Sequence, residues 1–446
     1  MSGNAINSII KKRIEQIKAG QIPEGYKKEY GFIVPKDWNF AKFKDLFDRM
    51  TDKNIIKNDN VLTISAQHGL INQQKYFKKN IASKDTSGYY LLKKGDFAYN
   101  KSYSAGFDYG TIKKLKNYDY GVVSTLYICF KPKKDLESSD YFEHYFDANL
   151  FNSEIHVIAQ EGARNHGLLN IGIDDFFNCN IINPPKEEQQ NISKILSICD
   201  KVIELKEKLL AEQEKQKKWL MQKLMSGDIR LIDNDDKWQE EKLEKICETF
   251  SGGTPDRSRK DYYVNGTIPW IKSGDLNQKL VKEVPEYITE EAYKNSSAKI
   301  IEPNDLLLAL YGATAGVIAI SKIKAAINQA VLCIKTNGKI KNDFLFYYLE
   351  NKMNEIIETY TQGGQPNLNA GIIKNLDIKI PTIKEQEKIA LILTIVDKKI
   401  ALLKKELDEY KRFKESLKQL LLTGIVRVNE LDINDKPRVK QEVSAC

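Results

Sequence analysis

The chain has 446 residues, too many for one ordinary hydrophobic core, and the usual domain size of about 100 to 200 residues suggests two principal units. Charged residues make up 29% and hydrophobic residues 41%, with 12 prolines and no low-complexity tract, which excludes a disordered polypeptide. The formal net charge of +8 favours a polyanionic partner without proving one.

In chain order, the first expected element is a helix over Asn4–Ala19, with Ile6, Ile10, Ile14 and Ile17 on one face and Gly20 ending it. Short strands follow at Asn60–Ser65, Gly95–Asn100 and Gly121–Phe130, then a helix at Tyr141–Asn149. Pro184-Pro185 precedes a long helix that Gly227 stops. A second globule repeats the scheme with strands at Ile268–Lys272, Asn304–Leu310 and Ala326–Lys335 and a helix at Phe344–Glu358; Pro381 then precedes a second long helix, stopped by Gly424. The divisions are residues 1–30 (helix and linker), 31–185 (first globule), 186–230 (long helix), 231–381 (second globule), 382–428 (long helix) and 429–446 (polar tail). The class is α+β. The longest apolar run, Leu306–Ile320, is broken by Gly312, Thr314 and Gly316 and is shorter than the ~20 residues of a membrane span, so an intracellular protein with no membrane partner is expected.

The chain is an internal repeat. Glu188-Gln189, Leu196, Asp200, Leu205, Leu220, Leu224, Gly227 and Arg230 recur without a gap as Glu385-Gln386, Leu393, Asp397, Leu402, Leu417, Leu421, Gly424 and Arg427. Upstream, Trp38, Phe43 and Leu46 echo Trp238, Leu243 and Ile246; Gly95-Asp96 echoes Asn304-Asp305, and Cys129-Phe130-Lys131 echoes Cys333-Ile334-Lys335. The offset drifts among these upstream pairs, as loop insertions in two diverged copies of one domain would produce. The second long helix carries a heptad seam of Ile389, Leu393, Val396, Ile400, Leu403, Leu407, Tyr410, Leu417 and Leu421, broken at Lys414. The first keeps Ile192, Leu196, Cys199, Ile203, Leu210, Leu220 and Leu224 in that register but places Lys206, Gln213 and Lys217 midway. Helices of some forty residues, about 60 Å long, must bury such a stripe, and each is the other's natural partner. The amino-terminal helix resembles a truncated end of these long helices, as a circular permutation would give.

Catalysis has no visible home. Six scattered cysteines form no C-x-x-C pair, four histidines show no ligand spacing, and no P-loop is present, so neither a metal nor a cofactor is expected on this chain. Asn183-Pro184-Pro185-Lys186 resembles the turn with which amino-methyltransferases hold a flipped adenine, yet Lys186 cannot supply the stacking ring and the repeat mate Ile380-Pro381-Thr382 lacks the Asn; a strand-to-helix turn is expected instead.

Polar Gly-rich loops are better candidates for binding nucleic acid, because small residues admit a phosphate and Gln, Asn, Lys and Arg pair with base edges. In the second globule the candidates are Gly253 and Thr254, Lys272 and Ser273, Tyr311 and Thr314, and Gln362, Gln365 and Asn367. In the first they are Lys101, Ser102 and Tyr103, with Arg164, Asn165 and His166, where Arg164 suits a guanine. Each loop alone is equally a turn between strands; their clustering in both copies is the signal.

The doubled plan resembles the specificity subunits of type I restriction-modification systems. The motifs are Leu224-Met225-Ser226-Gly227-Asp228-Ile229-Arg230 ending the first long helix, Ile268-Pro269-Trp270-Ile271-Lys272-Ser273-Gly274-Asp275-Leu276, Pro303-Asn304-Asp305-Leu306-Leu307-Leu308, Tyr311-Gly312-Ala313-Thr314-Ala315-Gly316, and Gln365-Pro366-Asn367-Leu368. The first globule departs from this pattern, lacking the Gly-Gly-Thr-Pro and Pro-Trp-Ile elements. The resemblance implies a non-catalytic, prokaryotic protein whose two target-recognition domains, in a pseudo-two-fold arrangement, are separated by two long antiparallel coiled-coil spacer helices. It implies that each domain reads one half of a split, asymmetric site on double-stranded DNA. It further implies partners: two methyltransferase subunits carrying S-adenosylmethionine and, in the larger complex, two restriction subunits using ATP and Mg2+. The alternatives are a specificity protein of a related system, a coiled-coil adaptor without DNA binding, and a solitary DNA adenine methyltransferase.

Overall fold

A computed structural model describes residues 3–65, 68–77, 85–102, 107–134, 136, 138–159, 169–232, 237–360 and 368–430, with side chains from residue 8. The chain forms two compact units. One takes the chain up to Leu205 together with the stretch from Leu407 onward; the other runs Lys206–Glu406. Each globule therefore owns half of both long helices, Lys186–Ser226 and Ile383–Leu422.

In the first unit, strands Phe47–Met50, Ile128–Pro132, Phe97–Asn100 and Thr111–Lys114 lie in that order in one antiparallel sheet. Side chains of a strand alternate between faces. Phe97, Tyr99 and Phe130 accordingly enter one core with Phe43, Phe47, Phe146, Phe151 and Phe176, while Ala98 and Cys129 enter another with Met50, Leu92 and Val123. The aromatic core is densely packed, with Phe97 and Phe130 stacked at 5.3 Å and Phe43 edge-on to Phe130 at 4.9 Å.

The second unit repeats the strand order: Cys247–Ser251, Val331–Thr336, Leu306–Ala309 and Ile318–Ser321, with Leu280–Val281 added in parallel at the edge. A further sheet holds Tyr287–Ile288, Ile268–Ile271, Ala325–Ile327 and Lys299–Ile301. Helix Asn342–Tyr360 buries Phe344, Leu345, Tyr348, Leu349 and Met353.

The echo of Gly95-Asp96 in Asn304-Asp305 has a physical cause. Both Gly95 and Asn304 take positive φ, at 99° and 75°, which Gly adopts freely and Asn tolerates. Each following aspartate accepts an amide hydrogen from three residues back, Lys93 at 2.7 Å and Glu302 at 2.8 Å. The expected single strands Gly121–Phe130 and Ala326–Lys335 are each two strands. Tyr120–Val123 breaks from Ile128–Pro132 where the Tyr127 amide donates to the Ser124 carbonyl at 3.1 Å, and Ala325–Ile327 from Val331–Thr336 where the Val331 amide donates to the Asn328 carbonyl at 3.2 Å. At each turn the chain leaves one sheet and enters the next.

Within each unit, the start of one long helix is locked to the residues just past the end of the other. In the first, Glu188 accepts from Trp38 Nε1 at 2.9 Å and from Arg427 Nε and Nη2 at 2.7 Å each, and Arg427 also holds Asp37. In the second, fully buried Glu385 accepts from Trp238 Nε1 at 3.2 Å, from the Leu231 amide at 3.1 Å and from Arg230 Nε and Nη2 at 2.9 and 3.0 Å. Burial opposes the ionisation of Glu385, but its donors, Arg230 first, outweigh that cost and hold its carboxyl below the ordinary range. Gly227 and Gly424, at φ 80° and 69°, turn the chain out of the helices beside those tryptophans.

The seam residues pack as antiparallel partners inside each unit. Ile192, Leu196, Leu417 and Leu421 join the first core, and Leu220, Leu224, Ile389 and Leu393 the second. Ile400 and Leu407 are buried, and Ile203, Leu210, Val396 and Leu403 half-buried, whereas Tyr410 stands exposed. The seam lysines have charged mates: Lys414 pairs with Asp200 in the first unit, and Lys217 with Asp397 at 2.6 Å in the second. Behind Asp200 lie His144 and Ser197; at the matching places in the second unit, the Tyr347 hydroxyl donates to Asp397 at 3.2 Å and lies 3.3 Å from the Thr394 hydroxyl. Burial pushes the His144 imidazole down to about 4, so it is neutral. The amino-terminal helix Gly3–Lys18 lies against the stretch that follows the last long helix, where Arg13 meets Glu430 at 2.9 Å.

Candidate nucleic-acid interface

The sheet-switching turn Asn328–Ala330 draws the second unit's candidates together. The Asn328 amide donates to the Ile271 carbonyl at 3.1 Å, next to Lys272 and Ser273. The Leu310 amide donates to Ala330 at 2.8 Å, next to Tyr311. Exposed Gln329 accepts from the Thr254 hydroxyl. Thr254, Lys272, Ser273, Tyr311 and Thr314 are all half-buried. Asn328 and Gln329 escaped the sequence reading because they sit inside an apolar run; the polar pair interrupting that run was the signal.

The glycines of the 252–255 loop serve the protein's own packing. A Cβ on Gly252 would lie 1.8 Å from the Ile327 carbonyl oxygen, and one on Gly253 2.0 Å from Ser297 Oγ. Gly253 is buried and gives its amide to Ile327 at 3.1 Å. Their smallness lets this loop close onto the strand below, which aims the residues after it outward. Among these is Arg257, which sequence reasoning passed over although Arg257 and Arg259 stand two and four residues after the Gly-Gly-Thr-Pro motif. Arg259 pairs with Asp261 at 2.6 Å and Lys272 with Glu286.

The 311–316 turn joins Leu306–Ala309 to Ile318–Ser321. Gly316 is required there, because its φ is 83° and a Cβ would strike Ile357 and Met353. The Leu368 amide donates to the Leu310 carbonyl at 2.8 Å, so Leu368 lies next to the start of this turn. Gln362, Gln365 and Asn367 lie outside the described residues.

The first unit repeats this junction. Half-buried Lys101 and Ser102 follow strand Phe97–Asn100, the Ser102 amide donating to Asn100 Oδ1 at 3.0 Å, and the Leu169 amide reaches the Lys101 carbonyl at 3.0 Å. Tyr103, Arg164, Asn165 and His166 lie outside the described residues. Asn183 Oδ1 accepts from Gln189 Nε2 at 2.8 Å and Gln189 also donates to the Pro184 carbonyl, so this motif is a strand-to-helix turn with its acceptor occupied. Among the described residues no group of His, Cys, Asp and Glu is arranged to hold a metal ion, and no helix is long and apolar enough to cross a membrane.

Two stretches, residues 35–215 and 235–412, match the family model described as the type I restriction modification DNA specificity domain. The specificity subunit of the Escherichia coli type I restriction enzyme EcoR124I/EcoR124II is 27% identical over 213 residues, which cover 46% of this chain and about half, 51%, of that protein. The MjaVIII specificity subunit of Methanocaldococcus jannaschii is 25% identical over 434 residues, covering 92% and 97% of the two chains. The fold is similar to the S subunit of a type I restriction-modification system from M. genitalium, with a TM-score of 0.53, 17% identity and coverage of 86% and 96%. A chain from a structure of type I R-M complex assembly gives a TM-score of 0.56 at 16% identity, covering 88% and 99%.

Proposed function

Since the chain belongs to the type I restriction modification DNA specificity family, we propose that it selects the DNA sequence for a type I restriction-modification complex and performs no chemistry itself. The observation that carries this reading is the duplicated junction. In each unit, the chain just past a central strand is met by a residue from much later in the sequence, Lys101 by Leu169 and Leu310 by Leu368. Each unit reads one half of a split site on double-stranded DNA, and the net charge of +8 supplies attraction to phosphate.

The two long helices act as an antiparallel coiled-coil spacer that relates the units by a pseudo-two-fold axis. Their antiparallel pairing within each unit, Glu188 with Arg427 and Arg230 with Glu385, supports this. Half-sites read from one side of B-DNA lie about one turn, ~34 Å, apart, a distance that helices of ~60 Å can brace. Removing one heptad from the second helix shifts the preferred gap and leaves both half-sites alone; an unaltered gap defeats the ruler.

Two methyltransferase subunits dock on the long helices and carry S-adenosylmethionine; two restriction subunits carrying ATP and Mg2+ join the larger cytoplasmic complex. The pairs Ile198 with Leu205 and Ile395 with Leu402 stand 53 to 62% exposed at matching positions of the two helices, which suits two copies of one partner.

The test is co-expression with the methyltransferase subunit from the same genome, followed by methylation mapping. A split motif that appears only with this chain is expected. Stable protein with neither partner nor new methylation would turn the reading to a coiled-coil adaptor. Exchange of residues 31–184 for those of another such subunit is expected to change one half-site only.

A further inference from the structure

Arg257 leaves the Gly252–Pro255 loop and lays its guanidinium over two rings, 4.9 Å from the centroids of both Tyr263 and Trp270. Both platforms are fixed: Trp270 is buried, and the Tyr263 hydroxyl donates to the Pro255 carbonyl at 2.6 Å. Glu286 stands 3.5 Å from each terminal nitrogen of Arg257 and accepts from Lys272 on its other side. Yet the Arg257 side chain remains 57% exposed, at the rim of an open cavity of about 400 Å³ shared with Asn265, Glu286 and Tyr287. The group is held against the two rings with Glu286 at the edge between its terminal nitrogens, and more than half of the side chain is left to solvent.

A surface arginine normally samples many rotamers, and holding it in one costs entropy. Stacking on rings and tethering to a carboxylate settle that cost before a ligand arrives. A planar fork of N–H donors matches a planar pair of acceptors, and among base edges in the major groove only guanine, through O6 and N7, offers that pair. A phosphate also accepts two N–H bonds, but the Glu286 carboxylate beside the fork disfavours an anion. It suits instead the N4 amino group of cytosine, which lies next to guanine O6 within one base pair.

We propose that Arg257 is a specificity-determining residue that reads the guanine of a G·C pair in the half-site of the second unit, with Glu286 facing the paired cytosine. The assignment rests on the DNA-reading function above. It is tested in the full complex of this chain with its methyltransferase subunit, by methylation of a plasmid library randomised in both half-sites. The wild type is expected to require G·C at one position of one half-site. Arg257→Ala and Arg257→Lys, the latter keeping charge but losing the fork, are expected to relax that position about 5- to 150-fold, the range of one bidentate contact, without altering the other half-site. Glu286→Gln is expected to relax the same position.

An even loss of methylation over all sequences, with guanine still required, would make Arg257 a phosphate contact and overturn the assignment. Unchanged selectivity in Arg257→Lys, or a wild-type half-site without G·C, overturns it as well. Should Arg257→Ala fail to fold, judged by its melting curve, Arg257→Lys carries the test. A wild-type complex that modifies no split sequence overturns the DNA-reading function itself, before any variant is compared.

Discussion

Replacing Glu385 by alanine removes a fully buried carboxylate that accepts from Arg230 twice, from the Leu231 amide and from Trp238. Breaking a buried ion pair by deleting one partner costs about 3 to 5 kcal/mol. The Arg230 side chain is 30% exposed and regains some hydration, which argues for the lower end, about 3 kcal/mol. The assay is urea denaturation of the full chain followed by tryptophan fluorescence, with Arg230→Ala and the double variant completing a cycle whose coupling should be about 1.5 to 3 kcal/mol. Because the folded carboxyl sits below its ordinary range, this contribution is present above the unfolded value near 4.3 and fades as pH falls through the folded one. An unchanged midpoint in Glu385→Ala, or additive single variants, would refute the view that this carboxylate closes the second unit.

His144 is neutral and buried, its imidazole at about 4 against about 6.5 in the unfolded chain. The unfolded state therefore takes up the proton first, and the first unit should lose stability as pH falls below about 6.5; His144→Tyr, borrowing the residue found at this place in the second unit, should flatten that slope in pH-dependent melting. Gly227→Ala should cost about 1 kcal/mol for its positive φ alone, since a Cβ there clears Trp238 at 3.7 Å, whereas Gly424→Ala should cost about 2 to 3 kcal/mol because its Cβ would lie 2.5 Å from Pro35; equal melting temperatures for the two variants would contradict this. Leu402→Gln together with Ile198→Gln should leave the melting curve within about 0.5 kcal/mol yet weaken capture of the methyltransferase subunit in a pull-down.

The repeat was legible because residues that bear a local constraint recurred in register. Gly227 and Gly424 needed positive φ, Glu188 and Glu385 needed Arg427 and Arg230, and Lys414 and Lys217 each needed an aspartate across the helix pair. The sequence displayed these matches without displaying that they cross, since contacts spanning some 150 to 240 residues leave no periodic trace. The strand breaks at Ser124 and Asn328 were hidden by apolar residues on both sides, which a periodicity of two cannot distinguish from one longer strand. Of the candidate site, Lys272 and Thr254 were visible through their motifs, whereas Arg257 and Glu286 become a pair only once separate loops of the second unit are folded together.

The crossing of the helix ends also sets an order of events during synthesis. Glu188 is made long before Arg427, which the ribosome adds 239 residues later. At about 5 to 20 residues per second, this leaves the earlier-made half without its closing arginine for roughly 10 to 50 seconds. Over that interval the second half can close completely, since Arg230 and Glu385 both precede Leu407. The portion begun first is thus finished last, and its apolar helix stripe, Ile192 and Leu196, waits for Leu417 and Leu421 while translation proceeds.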